Sequence, residues 1–427
     1  MIRGRGSSGR IAPPLARAAE AVRARASLRQ LRRLVALVAV LSLGALPSAA
    51  PAEAAPKEFF GLVPQDALSG ADAQRMARGG VGVVRFPLKW ESVEPRDDQF
   101  DFTALDRLIG TLAANGIRPL PIVSGVPGYV DHDPLALPLD SSADKSQWQE
   151  FLGAVVNRYG QGGSYWTSAY PLQHPAAQPL PLTTIQVWNE QNGPKHAHYP
   201  NPGLYAELVK ISHAAIASED PNIEVLLGGM FGTPTGEGGI EAWDFLNAVY
   251  KSPGAKESFD AIALHPYSPD IKGIKAQVNR MRKVMARYAD AAAKKKFKKA
   301  KKNLKRARKS GRKAKVKKAK KRVRKARNGL QTADIWVTEI GWGSEGASTS
   351  RLVKGLEGQA RLLKKSFELF EKQRKKWRIA GVLWYTWRDR NPGGAPCDWC
   401  ASAGLFRQDG ITPKPAWNQY VRLTGGS

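Results

Sequence analysis

Eight short apolar runs, each followed by a stretch of helical periodicity, recur along the chain from Glu58 onward. They cover 58–63, 81–86, 117–123, 183–190, 223–229, 259–266, 334–340 and 379–386. The runs are nearly continuous rather than alternating, as expected of parallel strands covered on both faces. Between the second and third, Leu105, Leu108, Ile109 and Leu112 fall at i, i+3, i+4 and i+7, and Asn115-Gly116 supplies a helix stop. Further helices are predicted over 70–78, 142–158, 201–218, 240–250, 270–293, 351–375 and 413–423. Eight strand–helix units predict an α/β fold closed into a (β/α)8 TIM barrel, with a doubly wound open sheet as the competing layout. At 427 residues the chain is long enough for one barrel carrying insertions.

The formal net charge of +29 suggests at first a nucleic-acid or membrane-surface partner. Two stretches account for all of it. Residues 1–54 hold nine arginines against Glu20 and Glu53, and residues 294–327 hold 22 lysines and arginines with no acid. Within the first stretch, Arg32 and Arg33 precede an apolar run from Leu34 to Leu46, and Ala52-Glu53-Ala54 then fits an A-x-A cleavage site. That pattern reads as a secretory signal in a basic extension, 1–54, ahead of a catalytic domain, 55–427. The apolar run is too short for an ordinary membrane span, so the mature chain is expected to be extracellular and to keep no transmembrane segment.

The second stretch, 294–327, is low in complexity and broken at Ser310-Gly311. It predicts a helical or disordered insertion between the sixth helix and the seventh strand, on the barrel face away from the βα loops. Its readings are a solvated insertion without a partner, or a tether to an acidic cell-envelope polymer. Phe297 is its only aromatic, so it lacks the stacking platform of a specific nucleic-acid binder.

The only cysteines, Cys397 and Cys400, form a C-D-W-C tetrapeptide. In an exported chain they are expected to close a local disulfide after the eighth strand rather than a metal or redox site.

Catalytic groups of such a barrel come from the C-terminal ends of its strands. Here those ends carry Arg85, Trp188-Asn189-Glu190, His265-Pro266-Tyr267, Glu339, and the segment from Trp384 to Asp389. Glu190 and Glu339 would face each other across the mouth. A facing carboxylate pair is what glycosidic cleavage needs: one to protonate the leaving oxygen, the other to attack the anomeric carbon. For those roles one carboxyl should have a raised pKa and the other should be ionised. No metal is expected, because His196 and His198 lack further ligands nearby and read as loop residues or sugar contacts. No cofactor is required.

Trp188-Asn189-Glu190, His265-x-Tyr267, the string from Thr338 to Trp342 and the tryptophan-rich eighth strand resemble the clan-A glycoside hydrolases, cellulase-like family five or xylosidase-like family thirty-nine. The resemblance covers about 58–423 apart from the basic stretch. It implies a retaining hydrolase with Glu190 as acid/base and Glu339 as nucleophile. It further implies that Asn189 contacts the sugar 2-hydroxyl, that Arg85 and Tyr267 hold the nucleophile, and that a strand-eight tryptophan, Trp387 in preference to Trp384, floors the cleavage subsite. Two features depart from the pattern. The usual Asn-Glu-Pro is Asn189-Glu190-Gln191, and the third strand ends in Ser124-Gly125 without family five's histidine.

Trp90, Tyr129, Trp166, Tyr199, Trp342 and Trp399 lie after strands or in their loops, where rings can pack on sugars, so an oligo- or polysaccharide is the expected substrate. The alternatives are a catalytically inactive carbohydrate-binding barrel, or a polyanion-binding protein acting through 294–327.

Overall fold

In the computed structural model, the strands are β1 (Phe60–Val63), β2 (Val83–Lys89), β3 (Arg118–Ser124), β4 (Thr184–Asn189), β5 (Glu224–Phe231), β6 (Ala261–His265), β7 (Asp334–Ile340) and β8 (Ile379–Tyr385). They pair in parallel in sequence order, and β8 returns to β1 to close the barrel. The structure describes residues 54–427 apart from Thr235 and Pro396, and the expected signal segment lies outside the described residues. Residues 56–427 form one unit. Among the described residues no helix is long and apolar enough to cross a membrane.

The longer helices are α1 (Gly70–Arg78), α2 (Thr103–Ala114), α3 (Ser142–Tyr159), α4 (Pro202–Glu219), α5 (Ala242–Lys251), α6 (Ile271–Arg287), α7 (Ala291–Lys309), α8 (Lys313–Asn328), α9 (Gly355–Trp377) and α10 (Pro415–Thr424). Local chemistry sets their starts. Ser69 with Asp72, and Ser141 with Asp144, make reciprocal capping boxes, while the Asn201 side chain accepts from the N–H groups of Gly203 and Leu204 ahead of α4. The helices that cover the barrel turn their apolar faces inward, as Ile109 and Leu112 do from α2, whereas α7 buries no residue.

One predicted helix is broken in two. The stretch 270–293 stops at Arg287 and restarts at Ala291. At the break the Tyr288 ring stacks on Tyr250, with centroids 4.7 Å apart, and its hydroxyl donates to the Asn247 carbonyl. Docking Tyr288 on α5 turns the chain outward. Helices α7 and α8 then fold back on each other around Ser310-Gly311, with Gly311 in the left-handed region that glycine adopts without penalty. This hairpin leads into the N-terminal end of β7, whereas Glu339 lies near its C-terminal end.

Candidate active site

At the C-terminal end of the barrel, four strands converge on one polar cluster. Arg85 of β2 is fully buried and donates from Nη1 to Glu339 Oε1 at 2.6 Å, from Nη2 to Asn189 Oδ1 at 2.6 Å and from Nε to Gln186 Oε1 at 2.9 Å. A buried guanidinium of this kind has to be paired, and the cluster supplies acceptors on three sides. The Tyr267 hydroxyl donates to the other oxygen of Glu339 at 2.7 Å. Burial, then the Glu339 charge, raise the Tyr267 hydroxyl well above its ordinary pKa, so it stays a donor across the neutral range.

Glu190 stands opposite. His265 Nδ1 lies 2.6 Å from its Oε1, and His196 Nε2 lies 3.1 Å from its Oε2. One oxygen of Glu190, one ring nitrogen of His265 and one oxygen of Glu339 lie within 4.8 Å of one another. That spacing lets the two carboxylates act on one atom. The same three groups offer ligand atoms to a metal, but Arg85 already sets a fixed positive charge on Glu339, which opposes a second cation there.

Backbone geometry aims the Glu190 side chain. Trp188 and Glu190 take φ of 67° and 46°, in the left-handed region that side chains other than glycine rarely adopt. The Trp188 indole donates to the His196 carbonyl at 2.8 Å, and Gln186 donates to the Trp188 carbonyl at 2.8 Å, so the twist is held from both sides. Gly229 of β5 makes room for His265, because a Cβ at Gly229 would stand 2.0 Å from His265 Nε2.

The acidity of Glu190 differs from the sequence expectation. Burial pushes its carboxyl up, but the hydrogen bonds from His196 and His265 outweigh burial and hold it below the ordinary range. The sequence shows the two carboxylates at strand ends but not the two imidazoles that fold onto one of them. The His196 pKa is raised: burial opposes protonation, and Glu190, with Glu339 behind it, more than compensates.

The structure brings Arg85, Asn189, Glu190, His265, Tyr267 and Glu339 together. It does not bring the predicted tryptophans to them. Trp387 is 1% exposed, donates to Asp72 Oδ1 and packs on Phe406 and Trp417. Trp384 donates to the Ala403 carbonyl, and Trp342 to that of Ser268, both from full burial. Trp90 is bonded to Glu94 and packed between Trp148 and Phe151, and Trp166 donates to the Tyr159 carbonyl. Strand ends carry structural as well as functional rings, and spacing alone does not separate them. The rings that do approach the pair are Tyr385 and Trp399, which pack on Tyr267 at 6.4 and 4.9 Å between centroids. Tyr129 and Tyr199 remain exposed on the loops after β3 and β4.

Sequence reasoning missed Gln186, the contact of His196 with Glu190, and Gly229. Gln186 left a readable trace, as a polar residue inside an apolar strand. The disulfide between Cys397 and Cys400 is present, with Cα atoms 5.2 Å apart, and its loop carries Trp399.

Residues 63–120, which contain Arg85 but neither glutamate, match the family described as beta-galactosidase. No curated protein matches the chain in sequence. Among solved structures, a family 39 glycoside hydrolase from Bacteroides cellulosilyticus is 18% identical, with a TM-score of 0.56, over 87% of this chain and 65% of that one. A monomeric beta-xylosidase from Caulobacter crescentus is also 18% identical, with a TM-score of 0.53, over 87% and 69%. An exo-beta-1,4-mannosidase from an Opitutaceae bacterium is 15% identical, with a TM-score of 0.50, over 86% and 59%. The chain thus spans about two thirds or less of the length of these structures, and what it shares with them is the barrel fold.

Proposed function

We propose that the chain is a retaining glycoside hydrolase acting on O-glycosidic bonds of an oligo- or polysaccharide, with Glu339 as nucleophile and Glu190 as acid/base. The observation that carries this reading is the facing pair itself, within 4.8 Å, with Arg85 and Tyr267 both bonded to one member only. Those two donors favour the anion of Glu339 and aim its oxygens, as a nucleophile requires. Attack on the anomeric carbon forms a glycosyl ester at Glu339 while Glu190 protonates the departing oxygen. Glu190 then takes a proton from water, the water attacks the same carbon, and the ester bond to Glu339 breaks. Asn189, bonded to Arg85 beside the pair, is the residue we assign to a sugar hydroxyl. Family 39 and beta-xylosidase relatives favour a glycoside substrate in general, and the mannosidase among them argues against choosing one sugar by likeness.

The decisive test is a pair of variants. Glu339→Ala should abolish turnover and recover with azide, giving a glycosyl azide of inverted configuration. Glu190→Ala should lose unactivated substrates by roughly 10²–10⁴-fold while sparing those with good leaving groups in the first step. Full activity of either variant on an unactivated polysaccharide would overturn the assignment, and binding without turnover by the wild type would favour an inactive carbohydrate-binding barrel.

The reading extends to place and anchorage. The basic, apolar and small-residue order of 1–54 favours a cleaved signal and a secreted enzyme. The α7–α8 hairpin, rich in cations and joined to the N-terminal side of β7, suits a tether to an acidic cell-envelope polymer that leaves the catalytic mouth free.

A further inference from the structure

Accepting Glu190 as the acid/base, we propose that His196 stores the proton that Glu190 delivers: its imidazolium holds the outer oxygen of the resting carboxylate, and hands its proton over as the leaving group takes its place.

Both oxygens of Glu190 are occupied in the unliganded site. Oε1 meets His265 Nδ1 at 2.6 Å, and His265 is fully buried. Oε2 meets His196 Nε2 at 3.1 Å, and the His196 side chain is 43% exposed. A general acid has to come within about 2.6–3.2 Å of the atom it protonates. The buried side of Glu190 is closed, so the glycosidic oxygen must approach Oε2, where His196 Nε2 now stands. His196 can yield. Its backbone is pinned, with the carbonyl accepting from the Trp188 indole at 2.8 Å and the N–H donating to the Gly193 carbonyl at 3.1 Å. Its side chain lies in the loop between β4 and α4, outside regular structure, and can turn toward solvent without moving that backbone.

The charges call for such a device. A carboxylate held below its ordinary pKa is ionised at neutral pH, which is the wrong state for an acid. Burial lowers the His196 pKa and Lys89 at the end of β2 lowers it further, but Glu190 and Glu339 raise it overall, so His196 is the neighbour suited to hold that proton. The other groups around the pair are His265 from β6, and Tyr267 and Arg85, both committed to Glu339.

The transfer balances. An N–H bond breaks at His196 Nε2, an O–H bond forms at Glu190 Oε2, and a neutral imidazole withdraws. Glu190 gives that proton to the leaving oxygen as the glycosidic bond breaks. Water attacking the glycosyl ester returns one proton to Glu190, and product departure lets it pass back to His196. No other reactant is consumed.

The test compares wild type, His196→Ala and His196→Gln, with kcat/KM followed against pH on an oligosaccharide that the wild type cleaves and on the matching nitrophenyl glycoside. In both variants the alkaline limb on the oligosaccharide should move toward acid, with about tenfold or greater loss at pH 7, and the nitrophenyl substrate should change little. Glutamine keeps an N–H donor but cannot carry the proton, so a purely structural contact would leave His196→Gln like the wild type. An unmoved alkaline limb in both variants overturns the proposal. A second arm needs no turnover: in a carbon-13 NMR titration of labelled histidines, the His196 midpoint should fall in Glu190→Gln. If it stays, the pair is uncoupled and the proton store fails while the glycosidase reading stands. A wild type that cleaves no glycoside would overturn the glycosidase reading and this step with it.

Discussion

Asp72 shows how a residue with no part in the chemistry can fix the barrel's closure. Its carboxylate closes the capping box of α1 through Ser69, accepts the Trp387 indole at 3.0 Å and pairs with Arg388 at 2.8 Å, so it ties the first helix to the segment after β8. Burial raises its pKa, but the Ser69, Trp387 and Arg388 contacts together hold it below the ordinary value. A depressed carboxylate stabilises the fold above the unfolded-state pKa, about 3.9, and that contribution is lost as pH falls through the folded-state value. Asp72→Asn is therefore expected to cost about 1–3 kcal/mol at pH 7 in urea unfolding, with the gap to wild type narrowing below about pH 4. A gap that persists unchanged at pH 3 would assign the effect to packing instead. Trp387 was misread for the same reason that Asp72 was overlooked: the contact joins residues 315 apart in sequence. Glu190 and Glu339 were legible because each ends a strand. His196 was not, because a loop residue's partner is set by how the loop folds back.

At the scale of elements, the segment after β8 acts as a strut for the Glu339 side of the site. Lys414, just ahead of α10, is 1% exposed and donates from Nζ to Asp389 at 2.8 and 3.1 Å and to the Ser402 carbonyl at 2.8 Å. Asp389 also accepts the Gly404 N–H. Burial lowers the Lys414 pKa and raises that of Asp389, the mark of an ion pair held out of water. The clasped segment carries the Cys397–Cys400 disulfide and, within its loop, Trp399, which packs on Tyr267, the donor to Glu339. Lys414→Met leaves Asp389 buried and unpaired, so a loss of about 3–5 kcal/mol is expected in denaturant unfolding. The double change Lys414→Met with Asp389→Leu should recover much of it, and equal losses in the single and double variants would show that the pair itself is not the source. Strand and helix order could be read from periodicity, since eight apolar runs leave few ways to bury them. The break at Tyr288 could not, because the helical pattern runs through it and only docking on α5 interrupts it.

For the whole molecule, the basic hairpin and the Glu190–Glu339 cluster lie at opposite ends of β7. The barrel body is close to neutral in formal charge, and the α7–α8 hairpin holds cations with no acid among residues 294–327. Near the root of that hairpin the cations crowd one another: burial lowers the Arg282 pKa with help from Arg327, and burial lowers that of Lys376 with help from Arg282, Arg324 and Arg327. Such self-repulsion is relieved by a bound polyanion, which releases counterions as it binds and makes retention depend on salt. The hairpin's composition was plain in the sequence. What no composition could supply is that the chain folds back on itself there and returns to the N-terminal end of β7. Because Glu339 lies at the opposite end of that strand, replacing 294–327 by a short Gly/Ser linker should leave kcat/KM on a soluble oligosaccharide within about twofold of wild type. The same replacement should abolish retention on isolated cell envelopes, measured as the fraction eluting below 0.2 M salt, roughly physiological ionic strength. Undiminished retention by the linker variant would remove the tether, and a large fall in turnover by a folded variant would place the hairpin in the active site after all.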